Sequence, residues 1–360
     1  MHAKPMTFFN ILLTLLLLVF GEMTFGAPVC SRVFTSEESK QVQYYRHLFE
    51  KAQAQNPRMH TVLNSFLDDA VEFKLRLPKN LVGDSEEQAQ AEAQLAKKWM
   101  SKAVRLVHQK DDLKISTEKI QAAGRAASEV YIVTLDNGSK VVFRPGVEVL
   151  DESIPGRHDG RNYGGNITVI RKTMMANKLN RWFSLRSTAD CWLGTLNGQA
   201  GLFSEFIPYE ISENAWKFDF HRRPDARYRR LYDLEAFEFL IGNYEAGWAL
   251  NTLSRTKNVL SNSGSMEPAL QDLDIVVIDH DPAFIPGIHE SSLSYRADTG
   301  TNLPALYSKT FVEKLKTLTE AELKLQLGSD ATEIEIRGIM FRRALMLRDI
   351  DLRGSDVVIP

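Results

Sequence analysis

Hydrophobic and polar positions recur along this chain with two different periods, and the change falls near residue 120. Before it, residues 36–54 (SEESKQVQYYRHLFEKAQA) and 85–109 (SEEQAQAEAQLAKKWMSKAVRLVHQ) place apolar side chains three and four apart. That spacing predicts two or three packed helices, the first opened by Ser36-Glu37-Glu38. After it, residues 129–135 (EVYIVTL) alternate with period two, Asp136-Asn137-Gly138 forms a turn that tolerates positive φ, and residues 139–144 return as a second strand. Residues 170–182 predict an amphipathic helix, 202–208 a strand stopped by Pro208, and 231–243 an apolar helix ended by Gly242-Asn243. Val276, Val277 and Ile278 then read as a buried strand that runs into Asp279-His280-Asp281.

Upstream of these elements, the run from Phe8 to Phe20 follows Lys4 and precedes the small residues Gly26 and Ala27. It is short for a membrane span and reads as a secretory signal over residues 1–26, with an uncleaved anchor as the competing reading. A lipid anchor on Cys30 is disfavoured, because Val29 is a poor approach to a lipidated cysteine. These readings place the mature chain in a secreted or periplasmic setting, where membrane contact would come only through the signal or a lipid.

Composition narrows the function classes. Across 360 residues, 44 Lys+Arg balance 46 Asp+Glu for a formal charge of −2, which argues against a dedicated nucleic-acid binder. An apolar share of 44% with 25% charged residues is that of a globular protein. Cys30 and Cys191 form no CxxC motif, so a structural zinc site is not expected; export would permit a disulfide between them, which the sequence alone does not establish. His47, His60 and His108 are isolated and carry no chemistry. His221-Arg222-Arg223 and residues 227–230 (RYRR) form a local basic cluster, read first as a solvated approach to the next helix and second as a receptor for an acidic substrate or lipid headgroup.

Candidate chemistry gathers in three places. Residues 122–128 (AAGRAAS) form a small-residue loop that would let a phosphate approach backbone N–H groups. On the strand after the turn, Lys140, Val142 and Arg144 share one face. A carboxylate such as Asp279 at the end of a buried strand is held rigidly enough to bind a divalent cation.

In this order the elements resemble the atypical kinases, namely the phosphatidylinositol-kinase-like enzymes and the secretory-pathway kinases typified by the Golgi casein kinase. Phe143-Arg144-Pro145 stands where that superfamily has Phe-Lys-Pro, and residues 173–179 (TMMANKL) stand where it has a glutamate-led helix. Residues 201–208 (GLFSEFIP) echo its hinge strand, 237–251 its catalytic loop, and 278–284 (IDHDPAF) its metal motif; residues 311–347, with Arg342-Arg343, resemble its helical tail. The resemblance covers roughly residues 120–350. It implies an α+β, two-lobed protein-kinase-like fold with a helical N-terminal region over 31–118, a kinase-like domain over 119–350 and a tail over 351–360.

It also implies a site. Gly124, Ser128, Lys140, Arg144, Glu205, Phe206 and Ile207 would bind the nucleotide, Glu245 would act as base, and Asp279 and Asn251 would hold metal. The cofactor would be ATP with Mg2+ or Mn2+. Yet the family lysine is Arg144, its helix glutamate is Thr173, its catalytic aspartate is Glu245, and Leu250 occupies the place of the second metal ligand, with Asn251 one residue later. Two functions follow: a divergent kinase acting on a protein, sugar or lipid hydroxyl, or a pseudokinase serving as a nucleotide- or protein-binding module.

Overall fold

The computed structural model describes residues 35–72, 81–82, 112–122, 130–146, 165–210, 229–244, 252–255, 274–280, 282–294 and 302–360, with isolated helical positions between 90 and 103. Helix α1 (Ser36–Glu50) is capped one residue earlier than expected. The Thr35 hydroxyl accepts from the Glu38 N–H at 3.2 Å and the Glu38 carboxylate returns to the Thr35 N–H at 3.0 Å, a reciprocal pair that satisfies two orphan donors. Helix α2 (Pro57–Glu72) was not singled out from the sequence. It starts at a proline, whose missing N–H is harmless there, and buries Met59, Val62, Leu63, Leu67 and Ala70.

Strands β1 (Asp112–Leu113), β2 (Ile120–Ala122), β3 (Tyr131–Thr134) and β4 (Lys140–Pro145) lead to helix α3 (Gly165–Trp182) and the hairpin β5 (Cys191–Leu196) and β6 (Gln199–Glu205). They form a six-stranded sheet of order β1-β5-β6-β4-β3-β2, antiparallel except for β1 against β5. The β3–β4 hairpin turns where the sequence predicts, with Gly138 at φ 80°. After β6 the chain passes into a second, smaller sheet of β7 (Tyr209–Glu210), β8 (Thr252–Ser254) and β9 (Ile275–Val277), and into helix α4 (Arg229–Ile241). The rest is β10 (Tyr307–Ser308), three helices α5 (Lys309–Thr317), α6 (Glu320–Leu327) and α7 (Glu333–Arg353), and β11 (Val358–Ile359), which pairs parallel with β10. The last residues of the chain are thus built into the fold.

Burial divides this α+β structure into two lobes. One sheet face buries Val133, Val141, Phe143 and Phe203; the other packs Leu193, Ala200 and Leu202 against Ile167 and Ile170 of α3. A larger separate core gathers α1, α2, α4, α5, α6, α7 and β9. Helix α3 belongs to both, since Ala176, Leu179 and Phe183 enter that larger core. Trp192 stacks on Phe203 with ring centroids 5.7 Å apart and stays 42% exposed, a rim aromatic. Cys191 is a free thiol whose pKa burial pushes up to about 12, while Cys30 lies outside the described residues. Among the described residues no helix is long and apolar enough to cross a membrane.

Two buried polar ties join distant elements. In the first, Asp349 of α7 accepts from Arg58 of α2 at 2.7 Å, from Arg353 at 2.7 Å and from the Tyr307 hydroxyl at 2.8 Å. Burial would raise the Asp349 pKa, but the two guanidinium groups outweigh it and hold the carboxyl below its ordinary value. In the second, Arg171 of α3 meets Glu335 of α7 at 2.8 Å with both side chains fully buried. The Glu335 carboxylate also accepts from the Thr332 N–H at 2.7 Å, so it caps α7 as well.

Asp349→Asn should cost roughly 1–3 kcal/mol at neutral pH, because it takes the counter-charge from two half-buried guanidinium groups and weakens the hydrogen bonds they donate. A depressed carboxylate pKa gives stability that is present above the unfolded value and lost as pH falls through the folded one. Chemical denaturation should therefore show the gap between wild type and D349N closing below about pH 4. Arg171→Met should likewise destabilise by roughly 3–5 kcal/mol. The double variant R171M/E335Q removes both charges while keeping an acceptor for Thr332, and should recover most of that loss; a double variant as unstable as R171M would refute the ion-pair account.

Candidate functional site

Strand β4 alternates as its sequence predicts: Val141, Phe143 and Pro145 are buried while Lys140, Val142 and Arg144 face the other way. In the antiparallel ladder Arg144 lies opposite Leu202 and Val142 opposite Ser204, so Arg144 stands on the sheet face that α3 covers. The half-buried Arg144 side chain makes no hydrogen bond or ion pair with any described residue. Lys140 is exposed at the other end of the strand, with its ammonium 5.6 Å from the centroid of the Phe206 ring.

Helix α3 contains no aspartate or glutamate, so it cannot offer Arg144 a carboxylate. Thr173 is half-buried. Its cations point elsewhere, Arg171 to Glu335 and Lys178 to Asp330, and the Trp182 indole N–H donates to Glu322 at 2.8 Å. Beyond the helix, Asn177 donates to the Ala189 carbonyl at 2.9 Å, and the Val277 N–H donates to the Ser187 carbonyl at 2.8 Å, with Thr188 and Val277 forming a parallel bridge. The segment that follows α3 is therefore an extra neighbour of β9. One helix borders both the Arg144 face and the strand that leads to Asp279.

At the crossing between lobes, the Glu205 N–H donates to the Asp190 carbonyl at 2.8 Å. Its carboxylate takes a two-point grip from Arg255, Nε at 2.7 Å and Nη2 at 2.8 Å. Burial works against the Arg255 charge, and Glu205 more than offsets it, raising the guanidinium pKa. The N–H and the carboxylate of Glu205 are thus engaged within the protein. Phe206 is half-buried and Ile207 buried. Glu205 and Arg255 help line an open polar recess of about 330 Å3 with Asn177, Asn180, Arg181 and Asp190.

Asp279 lies two residues past β9 and is half-buried. Its carbonyl accepts from the Asn243 amide at 2.9 Å, and the same amide donates to Glu238 Oε2 at 2.8 Å. His280 is fully buried beside Glu238, Nε2 to Oε1 3.7 Å. Farther on, the backbone turns sharply at Phe284, whose φ of 66° is unusual for a residue with a side chain and costs about 1–2 kcal/mol. Its N–H donates to the Ile241 carbonyl at 2.6 Å, which ties the return of this segment to the last carbonyl of α4. Gly124, Ser128, Glu245, Asn251 and Asp281 lie outside the described residues.

Glu238, Asn243, Arg342 and Glu335 were not assigned roles from the sequence. One signal was present: Glu238 is a lone acid within the apolar run Phe237 to Ile241, where a charge needs a partner. Among the described residues no group of three or more His, Cys, Asp or Glu side chains could hold a metal ion. Of the expected donors only Asp279 is described, and its carboxylate oxygens are of the hard kind that Mg2+ or Mn2+ takes.

No family model matches the chain, and no curated protein matches it. Among solved structures, one of the Golgi casein kinase is matched over 94% of this chain and 96% of the other, at 13% identity and a TM-score of 0.41. A second, of the Golgi casein kinase with Mn/ADP bound, is matched over the same shares at 14% identity and a TM-score of 0.41. Similarity at that level identifies no family.

Proposed function

We infer that the chain is a divergent kinase-like protein that binds ATP with Mg2+ or Mn2+ between its two lobes and transfers the terminal phosphoryl group to a hydroxyl acceptor. The observation that carries this reading is topological. Strands β2, β3 and β4 form an antiparallel meander, α3 follows and covers the Arg144 face, β5 and β6 contribute to the same sheet, and the chain then crosses to a lobe where Asp279 lies two residues past β9. Protein kinases place a phosphate-covering loop between the first two strands, a cation on the third and a metal-holding aspartate after a strand of the other lobe. Here those places fall to residues 123–130, to Arg144 and to Asp279.

Each residue has a chemical task in this reading. Arg144 has a guanidinium that no described residue engages, able to grip two phosphate oxygens at once. Asp279 contributes a carboxylate oxygen, and a bound cation would neutralise charge on the phosphates. Glu245 accepts the acceptor hydroxyl's proton as the new O–P bond forms and the bond to the departing ADP breaks. With Glu205 engaged by Arg255 and Asp190, recognition of the base falls to the backbone of Phe206 and Ile207. Residues 1–26 would direct the chain to a secreted or periplasmic location.

One observation favours the non-catalytic alternative. The ion pair between strand cation and helix glutamate that active protein kinases assemble has no counterpart, because α3 carries no acid. Adding Mn2+ with ATP to the full chain should raise its melting temperature, since a ligand at 100 times its Kd stabilises by about 2.7 kcal/mol. Asp279→Ala should remove that shift, and labelled phosphate should pass from ATP to an acceptor only with Asp279 intact. A shift without transfer would leave the nucleotide-binding pseudokinase; no shift at millimolar Mn2+ and ATP would end every nucleotide-binding reading and leave the pseudokinase only as a protein-binding module.

A further inference from the structure

Three buried polar atoms that find no hydrogen-bond partner among the described residues converge beside Asp279: Glu238 Oε1, His280 Nδ1 and His280 Nε2. Glu238 and Asn243 have no exposure and His280 has 1%. A carboxylate withdrawn this far from water is strongly disfavoured unless other groups answer it. Glu238 is answered on one side only, by the Asn243 amide at 2.8 Å on Oε2. On the other side His280 Nε2 is 3.7 Å from Oε1, near enough for charge attraction and too far for a hydrogen bond.

Chain connectivity gives this arrangement its meaning. The Asn243 amide that holds Glu238 also holds the Asp279 carbonyl at 2.9 Å, and His280 is the next residue in the chain. Both flanks of Asp279 are therefore referred to one carboxylate, on one rigid helix. A small rotation of the His280 ring would close the 3.7 Å gap and complete the Glu238 shell from the residue that follows Asp279 in the chain.

We propose that Glu238 is a positioning residue for Asp279, acting through Asn243 on its carbonyl and through His280 on its C-terminal side, so that the Asp279 carboxylate is aimed at a nucleotide-bound cation. This rests on the reading of Asp279 as a metal-holding residue given above. Outer groups of this kind typically change metal affinity by about 10–100-fold when removed.

The test uses the full chain, Mn2+ and ADP, with the spin-resonance signal of manganese as readout. Glu238→Gln should weaken Mn2+ binding to the ADP complex by about 10–100-fold and alter the spectrum of the ion that remains bound, while ADP binding in EDTA stays at the wild-type level. Asn243→Ser, which keeps the Glu238 carboxylate but removes the amide that joins it to the Asp279 carbonyl, should act in the same direction and serves if E238Q does not fold. Asp279→Asn separates the two levels of the argument. If D279N binds Mn2+ and ADP like the wild type, the metal role of Asp279 falls, and the positioning role with it. If D279N loses the metal while E238Q and N243S keep wild-type Mn2+ affinity, only the positioning role is overturned. It is overturned too if metal-free ADP binding drops in parallel with Mn2+ binding, since that marks general loosening of the fold.

Discussion

The guanidinium of Arg342 is fully buried, and its partners are carbonyl oxygens: Leu240 at 2.8 Å, Ile285 at 2.6 Å and Gly287 at 2.6 Å. Burial pulls its pKa down to about 9, so the charge stands on oriented peptide dipoles. Those carbonyls come from the end of α4 and from the segment that returns after Asp279, and Arg342 itself comes from α7. Two glycines make the approach sterically feasible. Gly242 at φ 74° would put a Cβ 2.7 Å from the guanidinium carbon, and a Cβ on Gly338 would lie 2.3 Å from the Ile285 carbonyl oxygen. The positive φ of Phe284 is sustained by the same enclosure. This knot holds the Gly242-Asn243 stop and the segment after Asp279 against α7, and the hydrogen bonds from Asn243 to Asp279 and from Phe284 to Ile241 join the two directly.

Buried charge also organises the contact between lobes. The helix that covers the sheet is joined to the C-terminal helices by Arg171 with Glu335 and by Lys178 with Asp330, whose other carboxylate oxygen accepts from the Trp99 indole at 3.0 Å. Glu335 is held ionised even in its apolar surroundings, because Arg171 outweighs the effect of burial. Such a pair contributes less to net stability than to the choice of arrangement, since any alternative packing strands a charge. The lobes are thereby held in one relation by cations of α3 that pair with carboxylates of the C-terminal segment.

How much of this was legible depended on whether the information was local. The β3–β4 hairpin, the shared face of Lys140 and Arg144, and the Gly242 stop were readable because period, turn chemistry and left-handed glycine all act within a few residues. The start of α3, five residues before the predicted one, was not, since Gly165 and Asn166 are poor helix formers that only packing of Ile167 and Ile170 retains. The long C-terminal stretch breaks into three helices at Thr319 and Thr332, each an N-cap that could have been read from its glutamate three residues on. Around Asp279 the sequence indicated a rigid carboxylate but not what steadies it. Glu238 and Asn243 are five residues apart and Asp279 lies 36 beyond Asn243, so their meeting depends on tertiary contact.

A helix that spends its cations on the far side of the molecule is a poor lever. In proteins whose output is set by swinging such an element toward or away from the nucleotide, the swing is cheap because solvent receives the released side chains. Here the same motion would drag a guanidinium and a carboxylate out of a dry interior one at a time. Control over this protein would then have to come from outside the lobe interface, through supply of ligand, through a partner, or through where the chain is delivered.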